Sequence, residues 1–202
     1  MSKTDDLIKA KRLVDLEKIL KARQNEVKLY NYNKGPKKHE KQLEFHKSPF
    51  RGRWVFGGNR TGKTECGAVE TVWWLRGIHP YRKITSAVHG WIVSPTNEVQ
   101  RDVAQKKLLT YLPRQWIRNI TMKSGSVIQP GLGVIDKIDV ESACGGVSQV
   151  SFKTCEQGRE QFQGASLDFI WFDEEPRREV FDECRMRLMD RLGSFWVTMT
   201  PL

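Results

Sequence analysis

The sequence has no long hydrophobic run and no leader segment. No apolar stretch approaches the roughly 20 residues that span a bilayer. Residues 1–11 are mostly polar and charged, unlike the apolar core of a signal peptide. These absences exclude a membrane-spanning or secreted protein, and we expect a cytoplasmic one. A chain of 202 residues suffices for one well-packed domain, or a domain with an added arm.

Cysteine and histidine are scarce and scattered. There are four of each, and no two cysteines have the two-residue spacing of zinc-binding knuckles. The pattern argues against a zinc site and favours reduced, mostly buried thiols. The thiols belong to Cys66, Cys144, Cys155 and Cys184.

Acidic residues are few at the N-terminus. Residues 1–53 contain 15 Lys and Arg against 7 Asp and Glu, a net charge of +8 out of +10 for the whole chain. A basic arm on a nearly balanced domain suggests a polyanionic partner, and nucleic acid is the obvious one. A solvated surface explains the same charge, so the charge alone leaves both interpretations open.

The arm itself is predicted to be a helix over residues 4–29. Thr4 can cap it, and an apolar stripe runs along one face, typical of docking against the main domain or a neighbouring subunit. The stripe consists of Leu13, Leu16, Leu20 and Val27. Residues 31–38, with Gly35-Pro36, are predicted to be a linker. Residues 1–38 are therefore interpreted as a basic helical arm and its linker.

From about residue 53 onwards, predicted strands alternate with predicted helices. The strands are 54–56, 90–94, 147–153, 168–172 and 195–200, and the region 125–155 suggests further strand. The helices are 63–76, 98–112 and 178–191. No internal repeat is present. This alternation predicts an α/β fold with a mostly parallel central sheet flanked by helices on both faces.

A glycine-rich motif lies between the first of these strands and the helix after it. It fits G-x-x-x-x-G-K-[ST] at every fixed position and reads Gly57-Gly58-Asn59-Arg60-Thr61-Gly62-Lys63-Thr64. We call residues 57–64 the phosphate loop. Its backbone N–H groups and the helix N-terminus would face a phosphate. Lys63 would reach the β- and γ-phosphates, and Thr64 would bind Mg²⁺. Arg60 either stabilises charge at the γ-phosphate in the transition state or is an exposed loop arginine.

An acidic tip follows the apolar residues 169–172. Asp173 is placed to hold Mg²⁺, and Glu174 to orient and deprotonate the attacking water. Glu175 is the alternative base, although strand alternation would turn it away from Glu174. A solvated acidic turn before Pro176 would explain the same residues if the phosphate loop were absent.

Two weaker signals accompany these motifs. Thr198 and Thr200 end the last strand, where hydroxyl groups could sense the γ-phosphate and pass on its loss. A strand that simply ends at Pro201 explains them equally well. Gln42 precedes the phosphate loop, and a glutamine amide can pair with both the donor and the acceptor edge of adenine.

In this order, the glutamine, the phosphate loop, the acidic tip and the threonine motif resemble the large terminase subunit of tailed bacteriophages, which packages viral DNA into a preformed capsid. The resemblance covers roughly residues 39–202. Its most specific part is Trp171-Phe172-Asp173-Glu174-Glu175-Pro176 together with Thr198-Met199-Thr200-Pro201. It implies an ASCE-type P-loop ATPase domain at 39–202 that uses ATP and Mg²⁺.

The resemblance also implies site roles and partners. Gln42 would read adenine, Lys63 and Thr64 would bind phosphate and Mg²⁺, Asp173 would bind the metal, Glu174 would be the catalytic acid/base, and Thr198 and Thr200 would couple hydrolysis to movement. The partners would be double-stranded DNA, a small terminase subunit, a portal protein and further copies in a homo-oligomeric ring, in the host bacterial cytoplasm. A neighbour's arginine usually assists in such rings; Arg101 and Arg159 are both candidates.

One departure from the family pattern leaves rival interpretations open. Family members carry a metal-dependent nuclease domain after the ATPase, whereas this sequence stops at Leu202, so we expect no nuclease activity from it. An ATP-binding fragment or assembly module that cannot turn ATP over is one alternative. A helicase-like DNA-dependent ATPase is another, although it would need a second domain. A small-molecule kinase fits less well, because Glu174 stands where a hydrolytic base belongs.

Overall fold

The computed structural model describes residues 12, 15–16, 28–127 and 129–201. Most of the predicted helix 4–29, including Leu13, Leu20 and Val27 of its apolar stripe, lies outside the described residues. Within them, residues 28–30 are helical, Leu29 is buried in the core, and Leu16 is 54% exposed. The docking role of the stripe therefore stays a prediction.

Seven strands form one sheet. Their bounds are β1 Gly52–Phe56, β2 His89–Ser94, β3 Ile117–Ser124, β4 Val134–Glu141, β5 Val147–Thr154, β6 Phe169–Asp173 and β7 Ser194–Met199. All five predicted strands are present within a residue or two of the expected ends. β3 and β4 were not predicted individually; they pair with each other antiparallel, as do β4 and β5.

The spatial order of the strands is β1-β7-β6-β2-β5-β4-β3. β1, β7, β6, β2 and β5 run parallel to one another, which confirms the mostly parallel sheet. β7, the last strand in sequence, is inserted between β1 and β6. The carboxyl ends of β1, β7 and β6 therefore meet at one edge, and parallel α/β sheets bind their ligands outside such an edge.

The longer helices are α1 Glu40–Lys47, α2 Lys63–Arg76, α3 over residues 97–111, and α4 Arg178–Arg187. Shorter 3₁₀ turns cover Gly35–Lys37, Arg114–Trp116, Pro130–Leu132, Cys155–Gln157 and Arg159–Phe162. The segment Gln100–Gln105 of α3 is a π-helix, and its two terminal glutamines bond the backbone of residues 130–135. In the described part of the chain, no helix combines the length and apolar character needed to cross a bilayer.

The predicted helix 178–191 is shorter than expected. It ends at Arg187, whose carbonyl accepts a hydrogen bond from the Leu167 N–H at 2.8 Å. Leu192 then adopts a left-handed φ of 50°, and Gly193 N–H bonds back to Leu188 O at 2.8 Å. Residues 188–193 thus form the turn that leads into β7, which a helical pattern does not reveal.

The core lies on both faces of the sheet. Phe169 and Trp171 of β6 pack with α2 and α3 on one face, while Ile170 and Phe172 pack with α4 on the other. Every residue of β6 is buried, which explains its continuous apolar run, since a parallel strand covered on both faces has no solvent side. All four cysteines are free thiols, three of them buried and Cys144 exposed, as the sequence predicts.

Candidate nucleotide-binding site

The phosphate loop joins β1 directly to α2. Gly62 at the start of α2 has a φ of 85°, a left-handed conformation that glycine adopts without penalty. Lys63 is a buried residue, and its ammonium group donates to Gly58 O at 2.8 Å. Thr61 Oγ1 donates to the same carbonyl at 2.9 Å. Lys63 thus lies curled over the loop, where an anionic phosphate oxygen would be a stronger acceptor than a peptide carbonyl.

Arg60 lies at the crest of the loop. It is exposed and has a left-handed φ of 62°, which is uncommon outside glycine and asparagine. The loop conformation therefore leaves this side chain exposed to solvent. Its role at the γ-phosphate stays a prediction.

Asp173 ends β6 and is almost fully buried, at 1% exposure. Its Oδ1 accepts from Thr198 Oγ1 at 3.1 Å. Burial raises its pKa from 3.8 to about 7, with Glu174 adding to the rise, while the Thr198 bond, the nearby Thr64 hydroxyl and the charge of Lys63 oppose it.

The second oxygen of this carboxylate, Oδ2, is buried and has no hydrogen-bond partner within the described residues. Buried polar atoms normally have a partner, and a carboxylate oxygen beside a threonine hydroxyl suits a hard cation such as Mg²⁺. Thr64 and Asp173 therefore have the chemistry that the predicted metal site requires.

Glu174 follows Asp173 in an unusual backbone conformation. Its φ is 78°, and its N–H donates to Thr198 O at 2.9 Å. Its Oε2 accepts from the Thr200 N–H at 3.0 Å. Non-glycine residues held at positive φ are enriched at functional sites. The side chain is partly exposed at the sheet edge, whereas Glu175 is fully exposed.

The end of β7 contacts both acidic residues. Thr198 is buried, pairs with Asp173 in the strand register, and accepts from Trp171 Nε1 at 2.8 Å. Thr200 supplies the N–H that holds Glu174. The structure thus brings the two threonines together with both acids, 25 or 26 residues away in sequence. The sequence did not indicate the hydrogen bond of Trp171 to Thr198, because Trp171 lies in the apolar run 169–172.

Gln42 lies on α1 beside the phosphate loop. Its Nε2 donates to Gly62 O at 3.2 Å, and its Oε1 accepts from Tyr32 OH at 3.0 Å. It lines a cavity of about 190 Å³ together with Val55 and Lys63, among others. A larger cavity of about 610 Å³ lies between the N-terminal segment and α2, where it does not include the phosphate loop. The smaller cavity is the one adjacent to the phosphate position.

A buried polar cluster lies behind the loop, and sequence reasoning missed it. Glu70 of α2 is fully buried and accepts hydrogen bonds from Arg53 at 2.6 Å, His46 at 2.6 Å, His79 at 3.0 Å and Trp74 at 3.1 Å. Burial alone would raise its pKa, but the bonds from His46 and His79 and the charge of Arg53 hold the pKa of Glu70 well below its usual range. These residues are scattered along the sequence, so only their spacing in the fold reveals the cluster.

The two candidate trans-acting arginines are both engaged within the chain. Arg101 pairs with Asp102 at 2.7 Å, and Arg159 with Glu183 at 2.8 Å. The guanidinium of Arg159 remains 59% exposed. The choice between them stays open.

Taken as a class, the molecule is a P-loop NTPase of the ASCE type, because β7 separates the strand before the phosphate loop from the acidic-tipped strand β6. Residues 55–201 match the family described as the terminase large subunit, T4likevirus-type, N-terminal. The chain belongs to this family, as the motifs predicted, and matches its N-terminal region.

Individual relatives agree with this assignment. The chain is 28% identical to the large terminase subunit of Salmonella phage P22 over 208 residues, which covers 81% of this chain and 39% of that protein. Its fold is similar to the large terminase of the thermophilic bacteriophage D6E, with a TM-score of 0.62, 17% identity, and coverage of 80% of this chain and 39% of that one.

A further D6E structure, solved in complex with ADP, has a TM-score of 0.54 at 17% identity and covers 78% of this chain and 37% of that one. The chain therefore spans about two-fifths of the length of the relatives it matches. Because these structures are distant in sequence, they establish the fold, and the site must be argued from the residues above.

Proposed function

We propose that this chain binds and hydrolyses ATP, and that hydrolysis drives translocation of double-stranded DNA into a viral procapsid. The observation that carries the proposal is Asp173, a buried carboxylate with one oxygen that has no hydrogen-bond partner among the described residues. It lies next to Glu174, whose carboxylate accepts from the Thr200 N–H beyond β7. A structural carboxylate would be expected to have its hydrogen bonds satisfied. Family membership and the ADP complex of a distant relative support nucleotide binding.

The phosphate loop and the acidic tip have different roles in the proposed hydrolysis. Backbone N–H groups of residues 57–62 and the Lys63 ammonium bind the phosphates. To do so, Lys63 exchanges its hydrogen bond to Gly58 O for one to a phosphate oxygen. Thr64 and Asp173 would hold Mg²⁺, which would supply positive charge to offset that of the phosphates. Glu174 orients the attacking water and takes its proton. Arg60 stabilises the charge that develops on the γ-phosphate.

Coupling to movement follows from the contacts of β7. Thr198 donates to Asp173, and the Thr200 N–H holds the carboxylate of Glu174. Oε2 of Glu174 accepts from the Thr200 N–H, so a shift of this carboxylate during turnover would change its contact with the end of β7. The state of the nucleotide is thus communicated to the end of β7 and to whatever chain follows it.

The partners are proposed from the family. They are double-stranded DNA, a small terminase subunit, a portal protein and neighbouring copies in a homo-oligomeric ring, all in the cytoplasm of the bacterial host. The net charge of +8 on residues 1–53 supports a polyanionic partner such as DNA. Polyanion binding through Lys and Arg weakens steeply with salt, which distinguishes it from an apolar docking arm.

The test is steady-state ATP hydrolysis by the purified chain, with and without duplex DNA, for the wild type, Glu174→Gln and Glu175→Gln. We expect Glu174→Gln to bind ATP and to lose a factor of about 10² to 10⁴ in turnover, the usual contribution of a general base. Its neighbour Glu175 is exposed, so Glu175→Gln is the matched control and should stay within a few-fold of the wild type. Stimulation by DNA is expected for a translocating motor.

Other outcomes separate the alternatives. If Glu175→Gln abolishes turnover and Glu174→Gln does not, the base is misassigned. Binding without turnover, even at high protein concentration, would favour an ATP-binding module over a motor. Failure of the wild type to bind ATP would refute the site as a whole.

A further inference from the structure

We propose that Tyr32 is a positioning residue for Gln42, and that its hydroxyl group makes the site prefer adenine over guanine. The inference deepens the proposed function and rests on ATP binding at the phosphate loop. Tyr32 belongs to the segment before α1, which no motif marks as part of the site. Its hydroxyl nevertheless lies 3.0 Å from the Gln42 amide oxygen.

The contacts of Gln42 leave one donor and one acceptor free. Its Nε2 carries two hydrogens, and one of them is used by Gly62 O at 3.2 Å. Its Oε1 has two lone pairs, and one is used by Tyr32 OH. The remaining hydrogen and lone pair complement the N7 acceptor and the N6 amino donor of adenine. Guanine presents acceptors at both N7 and O6. Its O6 would face the free lone pair of Gln42 Oε1, and this repulsion between two acceptors would disfavour guanine.

The two contacts also prevent the amide from turning over. Rotation by 180° would place Oε1 against Gly62 O, and two acceptors would then face each other. Gly62 permits the close approach because it has no side chain: a Cβ there would lie 2.6 Å from Gln42 Nε2. Tyr32 holds the opposite end of the amide, so loss of its hydroxyl would leave Gln42 anchored at one end only.

Tyr32 is itself held rigidly. It is 9% exposed, and its ring makes edge-to-face contacts with His46, Trp73 and Tyr111 at centroid distances of 5.6, 5.8 and 5.9 Å. His46 Nδ1 donates to Glu70 at 2.6 Å, and its Nε2 lies 3.1 Å from the Tyr32 hydroxyl and 3.5 Å from Cys66 Sγ. The Cys66 thiol can donate to Nε2, which leaves the one hydroxyl hydrogen of Tyr32 for Gln42. A continuous chain of polar contacts thus runs from the buried carboxylate of α2 to Gly62 of the phosphate loop.

The test compares the binding of ADP and GDP by isothermal titration calorimetry, which avoids turnover. Tyr32→Phe keeps the packed ring and removes only the hydroxyl. We expect it to reduce the preference for ADP over GDP by about three- to tenfold, the factor to which one net hydrogen bond corresponds, with GDP affinity unchanged. Tyr30→Phe is the matched control, since Tyr30 is 53% exposed, and it should retain the wild-type preference.

A double-mutant cycle with Gln42→Ala shows whether Tyr32 acts through Gln42. We expect Gln42→Ala to abolish the preference and Tyr32→Phe to change it no further in that background. The inference is overturned if Tyr32→Phe keeps the wild-type preference, if it weakens ADP and GDP equally, or if Gln42→Ala keeps the preference. Each of these results leaves ATP binding and hydrolysis intact as a proposal, whereas a wild type that binds neither nucleotide would refute both.

Discussion

Replacement of Asp173 by asparagine should stabilise the nucleotide-free protein. The carboxylate is buried, and one of its oxygens has no partner in the described part of the chain. Its pKa rises from 3.8 to about 7 on folding, which corresponds to about 4 kcal/mol by which folding disfavours the charged form at high pH. Asparagine has a similar shape and no charge, so it avoids this penalty.

The sign of the pH dependence follows from the same shift. Because burial raises the pKa of Asp173, the folded state retains a proton between pH 3.8 and about 7 that the unfolded state has lost. Stability of the wild type therefore falls as the pH rises through this window, and asparagine shows no such loss. We expect the advantage of Asp173→Asn to be about 2.5 kcal/mol larger at pH 8 than at pH 5.

The assay is urea unfolding followed by tryptophan fluorescence at pH 5, 6, 7 and 8 in the presence of EDTA. Asp182→Asn is the control, because its side chain is 58% exposed and such surface changes usually stay within about 0.5 kcal/mol. Mg²⁺ and ATP added in place of EDTA should stabilise the wild type and not Asp173→Asn. A difference between Asp173→Asn and the wild type that does not vary with pH would refute the reasoning.

Two further substitutions probe the packing behind the acidic tip. Thr198→Val would leave the buried indole N–H of Trp171 without its acceptor and Asp173 without a donor, so we expect a loss of about 1–3 kcal/mol in urea unfolding, with Thr198→Ser close to the wild type. A valine variant as stable as the wild type would contradict this role. Gly67→Ala would place its Cβ in the ring of Trp171. We expect a lower melting temperature, because the overlap costs about 1–3 kcal/mol and outweighs the roughly 1 kcal/mol that alanine contributes to a helix; a higher melting temperature would show that the ring can move.

Local patterns predicted most of the elements around the site. The helix predicted at about 63–76 matches the bounds of α2, which Gly62 and Gly77, both at positive φ, flank in the structure. β6 was evident from its apolar run. β3 was not predicted because its residues are partly or fully exposed and their burial does not alternate along the strand. It forms a strand mainly because β4 pairs with it.

Part of the candidate site could likewise be predicted from the sequence, and part could not. The phosphate loop and the acidic tip are short contiguous motifs, so their residues could be named from the sequence. The structure places them at the carboxyl ends of β1 and β6, with β7 between the two strands. The Glu70 cluster and the contact of Tyr32 with Gln42 join residues up to 24 positions apart, and only the Trp74 contact lies within one helix turn or so. A buried carboxylate and a surface one look alike in a sequence, because burial depends on what the rest of the chain places around them.

The sequence by itself determined the α/β class, the phosphate loop and the acidic pair at 173 and 174, because each depends on near neighbours in the chain. Only the tertiary structure decided the strand order, which inserts β7 between β1 and β6 and so brings Thr198 to Asp173. It also decided which side chains are buried, and therefore the raised pKa of Asp173 and the lowered pKa of Glu70. The physical reason is that hydrogen bonds and desolvation act through space, whereas residue patterns record only neighbours along the chain.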